Sequence, residues 1–307
     1  MTKVLVATEK PFAAVAVEGI RKVVEEAGFE LALLEKYSSR QELLDAAAGA
    51  DAIIIRSDKI GEDVFAAAPS VKIVVRAGAG YDNVDLQAAT AHGVVVENTP
   101  GQNSNAVAEL AFGMMVMAVR NCYDGTSGSE LAGKSLGIQA FGQVGRNVAR
   151  IAKGFGMSVM AVDPYCPEQV LVDAGVEPCK TVEKLYHDNR FISVNIPATP
   201  ETVKSIGYDL LTSMPKNGVV INTARKEVID EEGLARALDA RPDLKYFADV
   251  RPDSADDLIA RFGNRVFFTP KKMGAQTAEA NINAGIAAAR QIVAYFKEGC
   301  ERFRVNK

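Results

Sequence analysis

The segment TPKKMGAQTAEA (residues 269–280) places two adjacent lysines, Lys271 and Lys272, between a proline and a glycine. The chain contains only two histidines, His92 and His187, and neither is near this segment. Histidine is the usual side chain for proton transfer near neutral pH. If this loop carries general acid–base chemistry, a lysine must do it, although a solvated lysine pair is the ordinary interpretation of such a sequence.

A second segment with chemical potential, AFGQVG, begins at Ala140, after the strand-like KSLGIQ and before a helical pattern. Apart from this alanine it matches the G-x-G-x-x-G motif, which places a pyrophosphate at the N-terminus of a helix. Gly142 would let the backbone approach the phosphates, and Gly145 would allow the helix to pack closely on the strand. Gln143 and Val144 belong to the same turn. The alanine is tolerable if the turn there has a negative φ angle.

Asp163 ends the next apolar run, MSVMAVD. A carboxylate at this place can accept hydrogen bonds from the adenosine ribose hydroxyls, and it would repel the additional phosphate of NADP. Strand, glycine turn, helix and acidic residue together predict a dinucleotide site and favour NAD as the cofactor.

Composition narrows the class of protein. The chain has 307 residues, a hydrophobic fraction of 48% and a net charge of −4, without a block of like charge. These values are typical of a soluble globular protein and argue against nucleic acid or a membrane as a partner. The N-terminus lacks the pattern of a signal peptide, and the four cysteines lack metal-ligand spacing. We therefore expect free thiols, no metal and a cytoplasmic location.

Short Val- and Ile-rich runs alternate with helical patterns along the whole chain. This alternation predicts an α/β fold in which parallel strands are buried on both faces. A Pro/Gly/Asn break, NTPGQNS, separates two such series. We predict two doubly wound parallel-sheet domains: a flavodoxin-like substrate domain of residues 1–99 plus 284–307, and a Rossmann NAD-binding domain of residues 100–283.

Several segments occur in the order found in one enzyme family, namely RAGAGYDNVDLQAA, NTPGQNSNAVAEL, AFGQVG with Asp163, NIPATPET, NTARKEVIDEEGLARAL and TPKKMGAQTAEA. Through them the chain resembles the D-2-hydroxyacid dehydrogenases over nearly its whole length. Within the family it is most similar to the short form of D-3-phosphoglycerate dehydrogenase, which lacks C-terminal regulatory domains. That resemblance implies NAD-dependent oxidation of D-3-phosphoglycerate to 3-phosphohydroxypyruvate, the entry step of L-serine biosynthesis.

The resemblance also implies roles for residues. Arg225 is at the position of the catalytic arginine, whose planar fork suits a substrate carboxylate. A lysine replaces the catalytic histidine: Lys272 if the following Gly-Ala is aligned, which we prefer, or Lys271 if the preceding Thr-Pro is aligned. The family's catalytic glutamate has no match, and Asp249 and Asp253 are the nearby carboxylates.

IIIRSDKI resembles the Arg-Ser substrate loop, so Arg56, Ser57 and Lys59 are predicted to bind the phosphorylated substrate, with a surface ion pair as the competing interpretation. The backbone N–H groups of Ala77 and Gly78 would bind the substrate carboxylate together with Arg225. The remaining predicted residues are Asn103 for the substrate, and Pro197, Thr202, Thr223, Ala224 and Asp249 for the cofactor.

Two other functions remain open from the sequence. One is reduction of hydroxypyruvate, glyoxylate or another 2-keto acid. The other is an NAD-sensing binding protein without turnover, which the missing histidine and glutamate would explain. A homodimer is the default expectation for the assembly.

Overall fold

The computed structural model describes residues 1–306. The chain divides into two compact units, residues 1–103 with 276–307 and residues 104–275. These boundaries, at 103/104 and 275/276, differ from the predicted boundaries at 99/100 and 283/284. Each unit contains its own parallel sheet with helices, which confirms the predicted fold class.

The first unit begins with five strands that alternate with helices. Its strands are β1 (Lys3–Thr8), β2 (Glu30–Glu35), β3 (Ala52–Ile55), β4 (Ile73–Arg76) and β5 (Val95–Asn98). Its helices up to this point are α1 (Ala14–Glu26), α2 (Arg40–Ala47), α3 (Glu62–Ala67) and α4 (Leu86–Ala91). The strand order is β2-β1-β3-β4-β5, the flavodoxin-like order. All four residues of β3 are buried, as expected for a central parallel strand.

The second unit holds a sheet of seven strands in the order β12-β11-β10-β9-β6-β7-β8. These are β6 (Ser135–Gln139), β7 (Ser158–Val162), β8 (Glu177–Pro178), β9 (Phe191–Val194), β10 (Val219–Asn222), β11 (Lys245–Ala248) and β12 (Val266–Phe268). The helices are α5 (Ser104–Val119), α6 (Gln143–Gly154), α7 (Glu168–Asp173), α8 (Val182–Asp188), α9 (Tyr208–Ser213), α10 (Glu231–Ala240) and α11 (Ala255–Phe262). Apolar clusters cover both faces of the sheet.

The chain then returns to the first unit as α12 (Ala278–Glu298). This helix packs closely on α1 through small residues. A Cβ atom on Gly19 of α1 would lie 2.6 Å from the Ile286 side chain, so the two helices approach within the space that glycine leaves. None of the helices among residues 1–306 is long and apolar enough to cross a membrane.

The position of the strand ends decides where a ligand can bind. In the second unit the strand order reverses between β6 and β9, and in the first unit it reverses between β1 and β3. Ligands of open parallel sheets bind beyond the carboxyl ends of the strands at such a switch point. The loops after β6, β9 and β3 are therefore the places at which to look for a site.

The last residues of the first unit cover a buried acid on β5. Glu97 is only 1% exposed, and its Oε1 accepts a hydrogen bond of 3.2 Å from the backbone N–H of Phe303. The pKa of Glu97 is raised to about 7, chiefly by burial; the hydrogen bond from Phe303 opposes the rise, and the neighbouring Glu301 contributes to it. Because the folded chain holds this proton more tightly than the unfolded chain, Glu97 stabilises the fold most at low pH.

Glu97→Gln should remove this pH dependence. For the parent, the contribution of Glu97 to the free energy of unfolding should fall by up to about 1.4 kcal/mol per pH unit between its ordinary pKa and about 7. In urea unfolding at pH 5, 6, 7 and 8, the free energy of unfolding of the variant should increase relative to that of the parent as the pH rises. The exposed Glu30→Gln serves as control; equal pH dependence in both variants would contradict the assignment.

Candidate active site

The glycine turn connects β6 to α6. Gly142 precedes the first residue of α6 and no side chain caps that end, which leaves N–H groups of the first turn for a ligand. A Cβ atom on Gly142 would meet open space, whereas one on Gly145 would lie 2.3 Å from the Ala140 carbonyl oxygen. Gly145 thus permits the close helix–strand packing predicted for it, and Gly142 leaves the backbone accessible.

The expectation about Ala140 was wrong. Its φ angle is +75°, the left-handed conformation that glycine ordinarily adopts at the first position of the motif. The turn therefore keeps the geometry of the motif, and the alanine accepts strain of about 1–2 kcal/mol. Alanine in place of the first glycine of the motif therefore does not by itself indicate a different backbone conformation of the turn.

Asp163 follows β7 and lies against the glycine turn. Its Oδ2 accepts a hydrogen bond of 2.8 Å from the Phe141 N–H, and its Oδ1 accepts one of 2.9 Å from the Tyr165 N–H. These two bonds fix the carboxylate beside the turn while each oxygen keeps a lone pair for a further donor. A carboxylate beside a glycine turn can accept hydrogen bonds from the ribose hydroxyls of a dinucleotide.

The loop after β9 contains Pro197 and Thr202. The Thr202 hydroxyl donates to the Pro197 carbonyl (2.6 Å) and accepts from the Thr199 N–H (2.7 Å), so it braces the loop. At the end of the strand, the Asn195 amide donates to the Ser193 carbonyl (3.1 Å). The Oδ1 atom of Asn195 is buried and has no partner among the described residues. A buried acceptor without a donor at a switch point is suited to a ligand N–H or O–H.

Beyond β10, Thr223, Ala224 and Arg225 form a short turn. Asn222, fully buried, holds this turn: its Oδ1 accepts from the Ala224 N–H (2.9 Å), and its Nδ2 donates to the Arg225 carbonyl (2.9 Å). The Tyr246 hydroxyl supports the same amide at 3.0 Å. Sequence reasoning did not select Asn222, although an amide at the end of a buried Val-Val-Ile strand is a signal for such a role.

Two cations share the turn's carbonyl group. The Ala224 oxygen accepts a hydrogen bond of 2.9 Å from Arg225 Nη1 and one of 3.0 Å from Lys272 Nζ. The structure therefore brings Lys272 to the arginine across 47 residues of sequence. Of the two lysines left open by the alignment, the structure favours Lys272.

This arrangement changes the chemistry of the lysine. Although much of the Lys272 side chain is exposed, its ammonium is turned inward to the Ala224 carbonyl. Burial lowers its pKa below the ordinary value, and the like charge of Arg225 lowers it further. The carboxylates of Asp249 and Glu227 act in the opposite direction and do not cancel the effect. A lysine with a lowered pKa can exchange a proton more readily near neutral pH.

Asp249 has a different role from the one predicted. It is fully buried, and three donors occupy its carboxylate: the Thr269 hydroxyl (2.9 Å), the Met273 N–H (2.7 Å) and the Gly274 N–H (2.7 Å). With no exposed surface, it is poorly placed to bind a cofactor or to take a substrate proton. It instead holds the loop that carries Lys272.

Asp253 also differs from its predicted role. Its exposed carboxylate forms an ion pair of 2.5 Å with Lys226, the residue that replaces the glycine expected after the arginine. The structure gives it no bond to either lysine of the 269–280 loop. The carboxylate partner of a general acid–base lysine is therefore not supplied by Asp253.

In the first unit, Arg56 follows β3 and acts largely as a brace. Its Nη1 donates to the carbonyls of Lys10 (3.0 Å) and Pro11 (2.9 Å), and its Nη2 donates to Asn281 Oδ1 (2.9 Å). These bonds use three of the five N–H donors, and the guanidinium lies over the Phe12 ring. Arg56 is therefore neither a residue with all its donors available for a phosphate nor a member of a surface ion pair.

Sequence reasoning missed Arg76, the last residue of β4. Its Nε is buried without a hydrogen-bond partner, and its guanidinium lies so close to Gly78 that a Cβ there would be 1.4 Å from Nη1. Burial lowers the pKa of Arg76; Asp82 opposes this shift and the like charge of Arg56 adds to it. The sequence held a signal for Arg76, because it is an arginine at the end of a buried strand, as Arg56 is an arginine directly after one.

The other predicted substrate residues occupy the same edge of the first sheet. The loop with Ala77 and Gly78 is held by a bond of 3.0 Å from the Thr99 N–H to the Gly78 carbonyl. Ser57 and Lys59 are exposed in the turn after β3. Asn103 is half-buried and is the last residue of the first stretch of the unit.

Within the second unit, all predicted cofactor residues follow the carboxyl ends of β6, β7, β9, β10 and β11. Open backbone donors, a fixed acidic group and an unpaired amide oxygen surround the switch point, and a cation pair lies beside them. Such a set fits a dinucleotide together with a small carboxylic acid that gains or loses a proton.

Comparison with known proteins places the chain in a class. Residues 6–306 match the model for the catalytic domain of D-isomer specific 2-hydroxyacid dehydrogenases. The chain is 36% identical to a D-3-phosphoglycerate dehydrogenase of Methanocaldococcus jannaschii over 83% of its own length and 51% of the relative. It is 34% identical to a hydroxypyruvate reductase of Thermotoga maritima, over 88% of this chain and 91% of the relative.

Solved structures agree with this class. A crystal structure of 3-phosphoglycerate dehydrogenase from Entamoeba histolytica with NAD+ bound is 46% identical, with a TM-score of 0.82 over 100% of this chain and 99% of that one. The chain belongs to the D-isomer specific 2-hydroxyacid dehydrogenase family. It spans about half the length of the Methanocaldococcus jannaschii relative.

Asp249→Ala should destabilise the second unit and release the lysine loop. The change leaves two backbone N–H groups and one hydroxyl without their acceptor, so we expect the free energy of unfolding to fall by about 2–4 kcal/mol. Urea unfolding measures the loss, and hydrogen exchange should show faster exchange at Met273 and Gly274. Asp253→Ala, the exposed control, should change neither the free energy of unfolding nor the exchange at Met273 and Gly274. Equal effects of the two variants would refute the anchoring role of Asp249.

Proposed function

We propose that this protein is an NAD-dependent dehydrogenase that oxidises D-3-phosphoglycerate to 3-phosphohydroxypyruvate, the entry step of L-serine biosynthesis. The observation that carries the proposal is the pair of cations, Arg225 and Lys272, on the Ala224 carbonyl beside the switch point. Oxidation of a 2-hydroxy acid requires a group that holds the carboxylate and a base for the hydroxyl proton. This pair offers both.

NAD, when bound, accepts the hydride from C2 of the substrate. The residues that would hold it are the turn from Gly142 to Gly145 for the pyrophosphate and Asp163 for the ribose. The loop with Pro197 and the turn with Thr223 and Ala224 would line the rest. The structural observations that support this assignment are the uncapped start of α6 and the open space at the Cα of Gly142.

Arg225 would bind the substrate carboxylate. Its guanidinium uses Nη1 for the Ala224 carbonyl, which orients the remaining donors, and a planar fork can bond both carboxylate oxygens.

Lys272 would take the hydroxyl proton during oxidation and return it during reduction. Only the free amine can accept a proton, so a lowered pKa increases the fraction of lysine competent for oxidation. In reduction the ammonium is the donor, and its charge stabilises the alkoxide that forms. Asp249 supports this function from a distance, because it determines where the loop holds the ammonium.

The phosphorylated substrate is supported by the first unit. Arg56 and Arg76 lie near each other, and neither forms an ion pair within residues 1–306. Two cations without an ion pair at the carboxyl ends of β3 and β4 favour an anion such as a phosphate group. The second candidate function is reduction of hydroxypyruvate, glyoxylate or another 2-keto acid, which the Thermotoga maritima relative supports by its name.

We further propose a homodimer, the commonest symmetric assembly, and a reducing cytoplasmic location. The location is supported by the cysteines, all of which are free in the described chain.

Lys272→Met should lower kcat by roughly 10²–10⁴-fold, because it removes the general acid–base group. In the parent, oxidation should accelerate with rising pH and level off below the value of about 10.4 that is ordinary for lysine. Steady-state rates from pH 7 to 10 test this, with a solvent isotope effect to show that chemistry limits the rate. Lys271→Met is the matched control. A flat profile, or equal losses in the two variants, would rule out the assigned role.

The substrate is identified by NADH oxidation with 3-phosphohydroxypyruvate and hydroxypyruvate side by side. Hydroxypyruvate lacks the charged phosphate and the hydrogen bonds made to it. We therefore expect kcat/KM to be roughly 10–100-fold higher for the phosphorylated acid. Arg76→Met should abolish most of that preference while it leaves the rate with hydroxypyruvate near the parent's. Equal or reversed rates would support the keto-acid reductase, and silence with both acids despite NADH binding would support an NAD sensor.

A further inference from the structure

A second cavity of the second unit lies at the opposite edge of its sheet. Its volume is about 520 Å³, and Arg190, Val219 and Lys245 contribute to its lining. These residues stand immediately before or at the amino ends of β9, β10 and β11, whereas the glycine turn and Lys272 follow carboxyl ends. In a parallel sheet the two edges are separated by the full length of the strands. We call this the amino-edge cavity; it has no part in the proposed reaction.

Its lining is strongly cationic. Arg190, Lys245 and Arg265 all contribute to it, and in the portion of the chain that the structure describes none of the three forms an ion pair. One carboxylate, Asp243, also lines the cavity, but it is already bound to Arg241 at 2.8 Å and to the Asn217 N–H at 2.6 Å. Asp243 is therefore already paired and supplies the three cations with little counter-charge.

Neutral acceptors hold the cations in place. Lys245 Nζ donates to the Ala118 carbonyl (2.7 Å) and to Asn121 Oδ1 (2.9 Å), which leaves one ammonium hydrogen. Arg190 donates from Nε to the Asn217 carbonyl (3.2 Å) and from Nη1 to Ser129 Oγ (3.4 Å), which leaves its Nη2. The side chains are ordered by these bonds, and each keeps a donor for a ligand.

Two of the three side chains are partly removed from water, and neither forms an ion pair among residues 1–306. Burial lowers the pKa of Arg190, and burial also lowers the pKa of Lys245. The Cys122 thiol and Asp124 oppose the shift of Lys245, and Arg190 adds to it. Desolvated positive charge of this kind is stabilised when an anion enters the site.

The backbone around the cavity is also held in uncommon conformations. Asn121 and Asn217, which line it, have φ angles of +50° and +60°, and Cys122 and Tyr123 continue the left-handed stretch at +54° and +61°. Left-handed asparagine is tolerated, but a left-handed tyrosine is strained. The turn keeps this strain while it presents Asn121 to Lys245.

We propose that the amino-edge cavity binds a small dianion of the phosphate class, held by Arg190, Lys245 and Arg265, at a site separate from catalysis. The hydroxyl of Ser127 would supply a further hydrogen bond. Arginine forks and a lysine ammonium are the side chains that bind phosphate oxygens. The cavity is larger than inorganic phosphate, so a small phosphate monoester would also fit.

The test uses a variant that should gain stability, so a failure to fold cannot imitate the expected result. Ser129→Asp places a carboxylate at the hydroxyl to which Arg190 donates, and Ser129→Asn is the neutral control of similar shape. Both are made in Arg76→Met protein, which removes the anion contact proposed for the first unit. Thermal midpoints are measured without cofactor in chloride and in inorganic phosphate at equal ionic strength.

Without phosphate, Ser129→Asp should have a thermal midpoint about 2–4 °C above that of Ser129→Asn, because the carboxylate compensates the cations. Phosphate should raise the thermal midpoint of Ser129→Asn, and it should raise that of Ser129→Asp by less than half as much. A lower midpoint for Ser129→Asp, or equal responses of the two proteins to phosphate, would overturn the proposal. Repeating the comparison with a phosphate monoester distinguishes free phosphate from an esterified ligand.

Discussion

A single buried carboxylate, that of Asp249, determines where the loop with Lys272 lies. Asp249 has no exposed surface, and the desolvation of its charge is offset by three hydrogen bonds, all from the segment that carries Lys272. Without them, that segment would be an irregular connection between β12 and α12. With them, the lysine ammonium reaches the Ala224 carbonyl, and a flexible four-carbon side chain acquires a defined position.

The same principle, a buried polar group that holds a functional turn, recurs along the edge of the sheet. Asn222 supports the turn of Arg225, and Asp163 supports the glycine turn. In each case the supporting group ends or follows a buried strand and bonds to backbone, so the functional side chain remains available. Parallel strands bring these turns together because all their carboxyl ends lie at one edge. The opposite edge gathers cations instead, at the amino ends of β9, β11 and β12.

Much of the fold could be predicted because its signals are local. Continuous Val and Ile runs between amphipathic helices predicted buried parallel strands, and AFGQVG between a strand and a helix predicted the nucleotide turn. Errors arose where geometry depends on neighbours. Ala140 adopts a positive φ because strand and helix must still meet in the geometry of the motif, and the local preference of alanine is too small to prevent this. Domain boundaries moved by a few residues, since packing rather than the Pro/Gly break decides which unit a loop joins.

The amino-acid sequence by itself determined the α/β class, the two sheets and the glycine turn between β6 and α6, since these follow from residue types and short-range periodicity. Only the tertiary structure decided which lysine lies beside Arg225, that Asp249 anchors the 269–280 loop while Asp253 pairs with Lys226, and that the Nε atom of Arg76 is buried without a hydrogen-bond partner among the described residues. Charge, burial and hydrogen-bond partners belong to pairs of groups distant along the chain. A residue type specifies what a side chain can do, and the packed fold specifies which neighbour it does it with.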